Sequence, residues 1–152
     1  FATARYGLFR IGELVRASGR DQSPVVQITD VRLCREGFEI TICDFKHNSN
    51  RTPHRIVIPR LPSEPICPAS LLRAYLAERG GAEGPLFVLK GKHVTRAAFS
   101  STLRRTLTGL GLNTDRIKGH SFRIGAATWL AARGASDAQI RAIGRWHSNA
   151  FM

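Results

Sequence analysis

Hydrophobic residues recur with two different periods along this chain, and the change between them separates helical from β-sheet segments. From Leu8 to Val15 apolar residues recur at helical spacing, which predicts an amphipathic helix over about residues 2–17. From Val25 to Pro59 the period becomes two, as it does in half-buried strands. We therefore expect a small β-region bounded by helices.

Short runs with strand character make up this β-region. They are Val25–Ile28, Val31–Cys34, Phe38–Ile42 and Arg55–Pro59. Glu36 and Gly37 fit a turn before the third run, and the polar residues from Asp44 to His54 suit a loop before the fourth. The pattern predicts a small antiparallel sheet of about three strands.

Boundary residues predict further helices in the rest of the chain. A proline suits a first helical position, Thr and Ser suit N-caps, and glycine suits a helix end. The predicted helices are about Pro68–Gly80, Thr95–Leu107, His120–Gly134 and Ser136–Ile143. The expected fold class is α+β, mainly helical, in one domain over residues 1–152.

The charge of the chain narrows the possible partners. Lys and Arg number 23 against 11 Asp and Glu, which gives a formal net charge of +12, while a hydrophobic content of 43% excludes a disordered chain. Such basicity favours nucleic acid, although ribosomal-type and membrane-surface proteins share it. No apolar run approaches the length of a membrane span, and we expect no membrane partner.

The three cysteines, Cys34, Cys43 and Cys67, are odd in number and lack CxxC spacing. This pattern argues against a disulfide framework and against a zinc site. We therefore expect a reducing, intracellular location, nuclear in a eukaryote and cytoplasmic in a bacterium.

His120 and Arg123 are the most informative pair of residues. Because residues three apart share a helix face, both side chains can point at one anionic group. The guanidinium can bind two oxygens in bidentate fashion, and the imidazole can exchange a proton. This pairing suits a phosphodiester.

Four segments together resemble the tyrosine recombinases, the phage-integrase-like site-specific recombinases. Tyr6–Leu14 resembles their first arginine box, and Phe45–Arg51 resembles their β-hairpin lysine. Gly119–Thr128, read as GHSFRIGAAT, and Gly144–Ser148, read as GRWHS, look most like recombinases of eukaryotic mobile elements. The resemblance implies the catalytic fold of that family.

The resemblance also implies a catalytic role for five residues. Arg10 and Arg123 would bind the non-bridging phosphate oxygens, and Lys46 would protonate the departing 5′ oxygen. His120 would be the acid–base partner of the nucleophile, and Trp146 would donate its indole N–H to a phosphate oxygen. The family uses no metal or other cofactor for this reaction, and no metal-binding carboxylate motif occurs here.

Other candidate residues surround this set. Glu13 would hold Arg10 in place from three residues along the chain. His147 could replace Trp146 as the donor if the match shifts by one residue, and His47 adjoins Lys46. Five arginines are expected to contact the DNA backbone, namely Arg51, Arg96, Arg104, Arg105 and Arg145.

The nucleophilic tyrosine of the family follows the Trp146 position closely, which would place it just beyond Met152. The two tyrosines of the chain, Tyr6 and Tyr75, match no family motif. We therefore expect a catalytic-domain fragment that does not cleave DNA alone. The resemblance further implies a preceding DNA-clamping domain and a homotetramer on two duplexes, with this fragment a monomer.

Two other functions fit the same residues. A type IB topoisomerase resembles the recombinases in fold and shares the arginine, lysine and histidine set. A domesticated DNA-binding module could retain the basic cleft without cleavage. The short domain and the FRIGAAT segment favour the recombinase.

Overall fold

A three-stranded antiparallel sheet forms one wall of the hydrophobic core in the computed structural model, which describes residues 1–46 and 48–146. The strands are β1 (Val31–Cys34), β2 (Gly37–Ile42) and β3 (His54–Pro59), in the order β1-β2-β3. Ile40 lies opposite Ile56, and both side chains are buried. The predicted period of two and the predicted sheet are confirmed.

Helices cover this sheet, as the predicted α+β class requires. In the described residues they are α1 (Ala2–Tyr6), α2 (Ile11–Leu14), α3 (Pro68–Arg79), α4 (Arg96–Gly109), α5 (Gly119–Ala132) and α6 (Asp137–Gly144). Phe9 and Leu14 at the start of the chain and Leu72 of α3 pack with the sheet residues in one core. Helix α1 contacts both β3 and α5. The sheet and α5 are therefore held around the chain start.

The prediction of one helix over residues 2–17 is wrong. The helix ends at Tyr6, Leu8 has a φ of 47°, and a second short helix begins at Ile11. Leu8 and Phe9 are both buried, at 2% and 0% exposure. Adjacent residues of a helix point about 100° apart, so the chain leaves the helix to bury both.

The prediction of a strand over Val25–Ile28 is also wrong. This segment is extended but pairs with a loop, because the carbonyl of Val26 accepts from the Leu86 amide at 2.8 Å. A 3₁₀ turn, Ile28–Asp30, follows it. The sequence pattern also missed a small hairpin, β4 (Val88–Leu89) with β5 (Lys92–His93), since two-residue strands are too short to show alternation.

The predicted helix boundaries are confirmed. Pro68 is the first residue of α3, and the Thr95 hydroxyl accepts from the Ala98 amide at 3.2 Å at the start of α4. Ser136 and Gln139 form a capping box at α6, and Gly134 has a φ of 83° just after α5. These boundaries place His120 in the first turn of α5.

We predict that Gly37→Ala lowers the free energy of unfolding by about 2 to 3 kcal/mol. Gly37 has a φ of 145°, and a Cβ atom there would overlap the carbonyl oxygen of Ile58 on β3. Urea unfolding measures the change. The control is Gly125→Ala in α5, where a Cβ meets nothing within 4 Å and a gain of about 0.5 to 1 kcal/mol is expected. A Gly37→Ala variant as stable as the parent would contradict this account.

Candidate active site

The carboxylate of Glu13 lies between two arginines. Its Oε1 accepts from Arg10 Nη1 at 3.1 Å, and its Oε2 accepts from Arg145 Nη2 at 2.8 Å. Oε2 also accepts from the backbone amide of Arg10 at 2.8 Å. Glu13 is only 6% exposed, so these charge-assisted bonds lie largely out of water.

The break in the first predicted helix places Arg10 at this carboxylate. Arg10 is the N-cap of α2, with extended backbone angles, and Glu13 occupies the third helical position. A glutamate at that position reaches back to the N-cap amide, as in a capping box. The Arg10 side chain remains 29% exposed, so its guanidinium borders both the carboxylate and the solvent.

Arg145 is an interior residue. Its side chain is 2% exposed, and its Nη1 and Nη2 also donate to the carbonyls of Gly7 at 3.4 Å and Leu8 at 3.2 Å. The guanidinium lies 5.3 Å from the centre of the Phe9 ring. This burial argues against the DNA-backbone contact that the sequence predicts for Arg145, because protein groups enclose the guanidinium on several sides.

Arg123 of α5 is the largest side chain that is almost fully buried, at 1% exposure. Its Nη2 donates to the carbonyl of Gly144, and its guanidinium carbon lies 4.2 Å from the centre of the Trp146 ring. Among the described residues, its Nε and Nη1 have no hydrogen-bond partner. Because buried polar groups are normally hydrogen-bonded, these donors mark Arg123 as a candidate functional residue.

The pKa of Arg123 reflects its burial and its charged neighbours. Burial first of all, and then repulsion from Arg10 and Arg145, lower the pKa of Arg123 to about 9, while Glu13 acts in the opposite direction. The guanidinium is still charged at neutral pH. Three arginines therefore lie near one carboxylate, and the hydrogen bonds of that carboxylate are with Arg10 and Arg145.

Gly144 makes room for the tryptophan. A Cβ atom at residue 144 would coincide with the six-membered ring of Trp146. The ring itself lies over the Arg123 guanidinium, an arrangement favoured by cation–π attraction. These three consecutive residues thus have separate roles. Gly144 leaves space for the ring, Arg145 binds Glu13, and Trp146 packs against Arg123.

His120 lies three residues before Arg123, in the first turn of α5. Its side chain is exposed, whereas that of Arg123 is buried. Because residues three apart lie on the same side of a helix, the exposed imidazole and the buried guanidinium project from one side of α5.

The loop that carries Lys46 is closed by a single side chain. The amide nitrogen of Asn48 donates to the carbonyl of Cys43 at 2.6 Å and to that of Thr52 at 2.9 Å. These bonds hold the two ends of the loop together. Lys46 is exposed near its tip, where its ammonium is free to approach a ligand.

Phe45 connects this loop with the arginine cluster. Its ring lies 5.8 Å from the Arg145 guanidinium carbon and 5.9 Å from the ring of His54. Lys46, the next residue, therefore follows a ring that packs against the buried ion pair of Arg145 and Glu13. The structure brings the loop to the same region as Arg10 and Arg145.

The other arginines predicted to contact DNA differ in their surroundings. Arg51 is exposed and pairs with Asp44 at 2.8 Å, and Arg104 and Arg105 are exposed on α4. Arg96, also exposed, extends its Nη2 to 3.0 Å from the position that a Cβ of Gly12 would occupy. Arg96 thus lies next to the helix that follows Arg10. His47 and His147 lie outside the described residues.

Sequence reasoning missed Phe45 and His54. Burial lowers the pKa of His54, Arg145 lowers it further, and Glu13 opposes both. His54 is therefore a neutral neighbour of the charged cluster at pH 7. His54 belongs to none of the family segments, and Phe45 lies in one of them without a role of its own. The fold brings His54, at the start of β3, and Phe45, in the loop after β2, close to Arg145.

The family model of the phage integrase family matches residues 4–151, nearly the whole chain. The chain belongs to the phage integrase family. Within this family domain, Arg10 and Arg123 come from segments more than a hundred residues apart and meet around Glu13. No match was found among curated proteins.

Solved structures share the fold of this phage integrase domain. The crystal structure of XerA recombinase is 20% identical, with a TM-score of 0.72 over 98% of this chain and 47% of its own. XerH site-specific recombinase bound to difH substrate is 19% identical in its pre-cleavage complex, with a TM-score of 0.71 over 98% of this chain and 39% of its own. The chain spans less than half the length of these recombinases.

The described part of the chain contains neither a metal-binding cluster nor a membrane-spanning helix. No group of three or more His, Cys, Asp or Glu side chains there is arranged to hold a metal ion. No helix there is both long and apolar enough to cross a bilayer.

We predict that Arg123→Met leaves the free energy of unfolding unchanged or raises it by about 1 kcal/mol. Methionine removes a buried charge whose only hydrogen bond among the described residues is to Gly144, and it keeps much of the apolar volume. Urea unfolding without DNA measures this. The control Phe9→Ala, a fully buried apolar residue, should cost about 3 to 5 kcal/mol. A comparable loss in Arg123→Met would contradict the account of an unsatisfied charge.

Proposed function

We propose that this chain is the catalytic domain of a tyrosine recombinase, which cleaves and rejoins DNA at specific sites through a 3′-phosphotyrosine intermediate. The observation that carries the proposal is Arg123, buried beside Arg10 with two donors that have no partner among the described residues. Membership of the phage integrase family supports it. So do structural neighbours described as recombinases, one of which, XerH site-specific recombinase, is bound to difH substrate.

The two arginines would stabilise the transition state. A phosphodiester under attack gains negative charge on its non-bridging oxygens, and fixed donors in a dry site stabilise that charge strongly. Arg123 offers Nε and Nη1 from the floor of the site, and Arg10 offers its partly exposed guanidinium from the side. Both are held before DNA arrives, so little reorganisation is needed during the reaction.

Three further side chains would handle protons and complete the site. Lys46, with His47 beside it, would protonate the departing 5′ oxygen, and His120 would assist the nucleophile. Trp146 would donate its indole N–H to a phosphate oxygen while its ring packs on Arg123. His147 stays the alternative donor. The proposed reaction uses none of these residues as metal ligands.

The attacking tyrosine is proposed to lie beyond Met152. The hydroxyl of Tyr75 donates to the carbonyl of Leu86 at 3.0 Å and accepts from the amide of Val88 at 2.8 Å, so it has a structural role. The ring of Tyr6 packs edge-on against Trp129 at 6.4 Å. Neither side chain has the surroundings of a nucleophile, and the 152 residues alone are then inactive.

The biological setting is proposed on the same basis. The GHSFRIGAAT and GRWHS segments support a recombinase of a eukaryotic mobile element, which would act inside the cell as a homotetramer on two duplexes. A further domain that clamps the DNA would precede this one. The net charge of +12 supports double-stranded DNA as the partner.

We predict a covalent adduct between the native protein, including the residues after Met152, and nicked suicide duplexes from its own flanking DNA. The adduct should resist SDS, be linked to a 3′ phosphate, and disappear when the downstream tyrosine is changed to phenylalanine. Arg123→Ala should slow adduct formation at least about 100-fold, as loss of a preorganised donor does, and change DNA affinity less than about threefold.

Other outcomes of this experiment would point elsewhere. DNA binding without any adduct would favour a domesticated DNA-binding module. An adduct that leads only to relaxed plasmid would favour a type IB topoisomerase. Equal losses of cleavage and binding in Arg123→Ala would make Arg123 a binding residue.

We also predict a steep salt dependence of DNA binding. Affinity should fall about 100-fold between 50 and 200 mM salt, which corresponds to about four neutralised phosphates. Arg104→Gln should reduce the slope by about one, whereas Arg35→Gln, at the turn between β1 and β2 away from the Lys46 loop, should leave it unchanged. Fluorescence anisotropy at several salt concentrations measures both slopes. A fall of less than threefold would rule out the electrostatic account.

A further inference from the structure

We propose that Arg145 is a positioning residue for DNA cleavage. In this view it orients Arg10 through Glu13, holds the end of α6 that binds Arg123, and makes no contact with DNA. The inference rests on the proposed recombinase function, since it assigns a role in that reaction. It also replaces the DNA-backbone contact that the sequence predicts for this residue.

The first connection runs from Arg145 to Arg10. Arg145 Nη2 binds Glu13 Oε2 at 2.8 Å, and the other oxygen of the same carboxylate binds Arg10 Nη1 at 3.1 Å. The backbone amide of Arg10 also binds Oε2, at 2.8 Å, so without Arg145 both bonds to the carboxylate would come from Arg10. Arg145 adds a bond from a distant segment, which fixes the carboxylate, and with it Arg10, relative to the end of α6.

The second connection runs from Arg145 to Arg123. The guanidinium of Arg145 binds the carbonyls of Gly7 and Leu8, which anchors the end of α6 to the chain break that precedes Arg10. The carbonyl of Gly144, one residue earlier, accepts the only hydrogen bond that Arg123 makes with the described residues. One side chain therefore links the segments on which both phosphate-binding arginines depend.

The backbone at Arg145 supports a specific need for this side chain. Its φ of 57° and ψ of 43° are left-handed, a conformation in which glycine is the favoured residue after a helix. Arginine occupies this position although glycine is preferred there. Its planar fork binds four acceptors, on Gly7, Leu8, Glu13 and Ile143, which a lysine ammonium on a single nitrogen does less well.

The test uses Arg145→Gly and Arg145→Lys in the native protein, including its residues after Met152. Glycine keeps the left-handed backbone and removes the guanidinium, and lysine provides a second variant if glycine does not fold. Single-turnover adduct formation at saturating protein should slow at least about 30-fold in Arg145→Gly, with DNA affinity changed less than twofold. The control is Arg35→Gly, which removes an exposed arginine without an ion pair among the described residues. It should leave the cleavage rate unchanged.

A double-mutant cycle separates positioning from a general loss of stability. Since Arg145 is inferred to act largely through Glu13, Arg145→Gly should slow cleavage much less when Glu13→Gln is already present. Rate losses that multiply independently and follow the loss of unfolding free energy would overturn the proposal. Weakened DNA affinity with a smaller salt slope would overturn it as well, because it would show a phosphate contact.

A second readout is independent of cleavage. If the parent protein forms no adduct, the recombinase function fails, and NMR of the arginine Nε–H groups in the free protein then tests the positioning alone. The Arg10 and Arg123 signals, assigned with Arg10→Lys and Arg123→Lys, should shift or broaden in Arg145→Gly and stay unchanged in Arg35→Gly. Unchanged signals in Arg145→Gly would overturn the inference.

Discussion

The carboxylate of Glu13, bound between Arg10 and Arg145, is the constraint on which the rest of the site depends. Two positive charges can be held close together away from water only if a negative charge lies between them. The helix break at residues 7–9 places Arg10 at Glu13, and the left-handed turn at residue 145 places Arg145 there. Each local departure from regular structure serves this ion cluster.

Arg123 is the member of the cluster that Glu13 does not satisfy directly. A buried guanidinium with two donors that have no partner among the described residues is unfavourable for the folded protein alone. The same donors are favourable as soon as a phosphate occupies the site. Natural proteins accept such local costs at functional sites, because stability elsewhere is sufficient to hold them. The hydrophobic core between the sheet and the first helices provides that support here.

Much of the fold could be predicted from the sequence, because its determinants are local. The period of two in β2 and β3, the N-caps at Thr95 and Ser136, and Pro68 at the start of α3 all act within a few residues. The first helix could not be predicted correctly, since Leu8 and Phe9 are drawn out of it by core partners that are distant in sequence. Local periodicity contains no information about those partners.

In the candidate site, too, local pairs could be predicted and contacts between distant segments could not. His120 and Arg123 could be paired from their spacing, and Glu13 could be associated with Arg10 from theirs. Arg145 is the exception, because its partner Glu13 is 132 residues away and spacing along the chain cannot show that its side chain is buried. Phe45 and His54 join the cluster through the fold of β2, β3 and the loop between them. Residue type and spacing identified the charged groups, but not which of them face inward.

The loop closed by Asn48 has a consequence for the proposed binding of DNA, through the conformational entropy that binding would cost. A flexible loop must search many conformations before a lysine at its tip reaches its target, and the loss of that freedom weakens binding. Here the Asn48 side chain joins Cys43 and Thr52 once the protein has folded, so part of this freedom is lost before a partner binds. Under the proposed function, less of it would remain to be lost when Lys46 meets DNA.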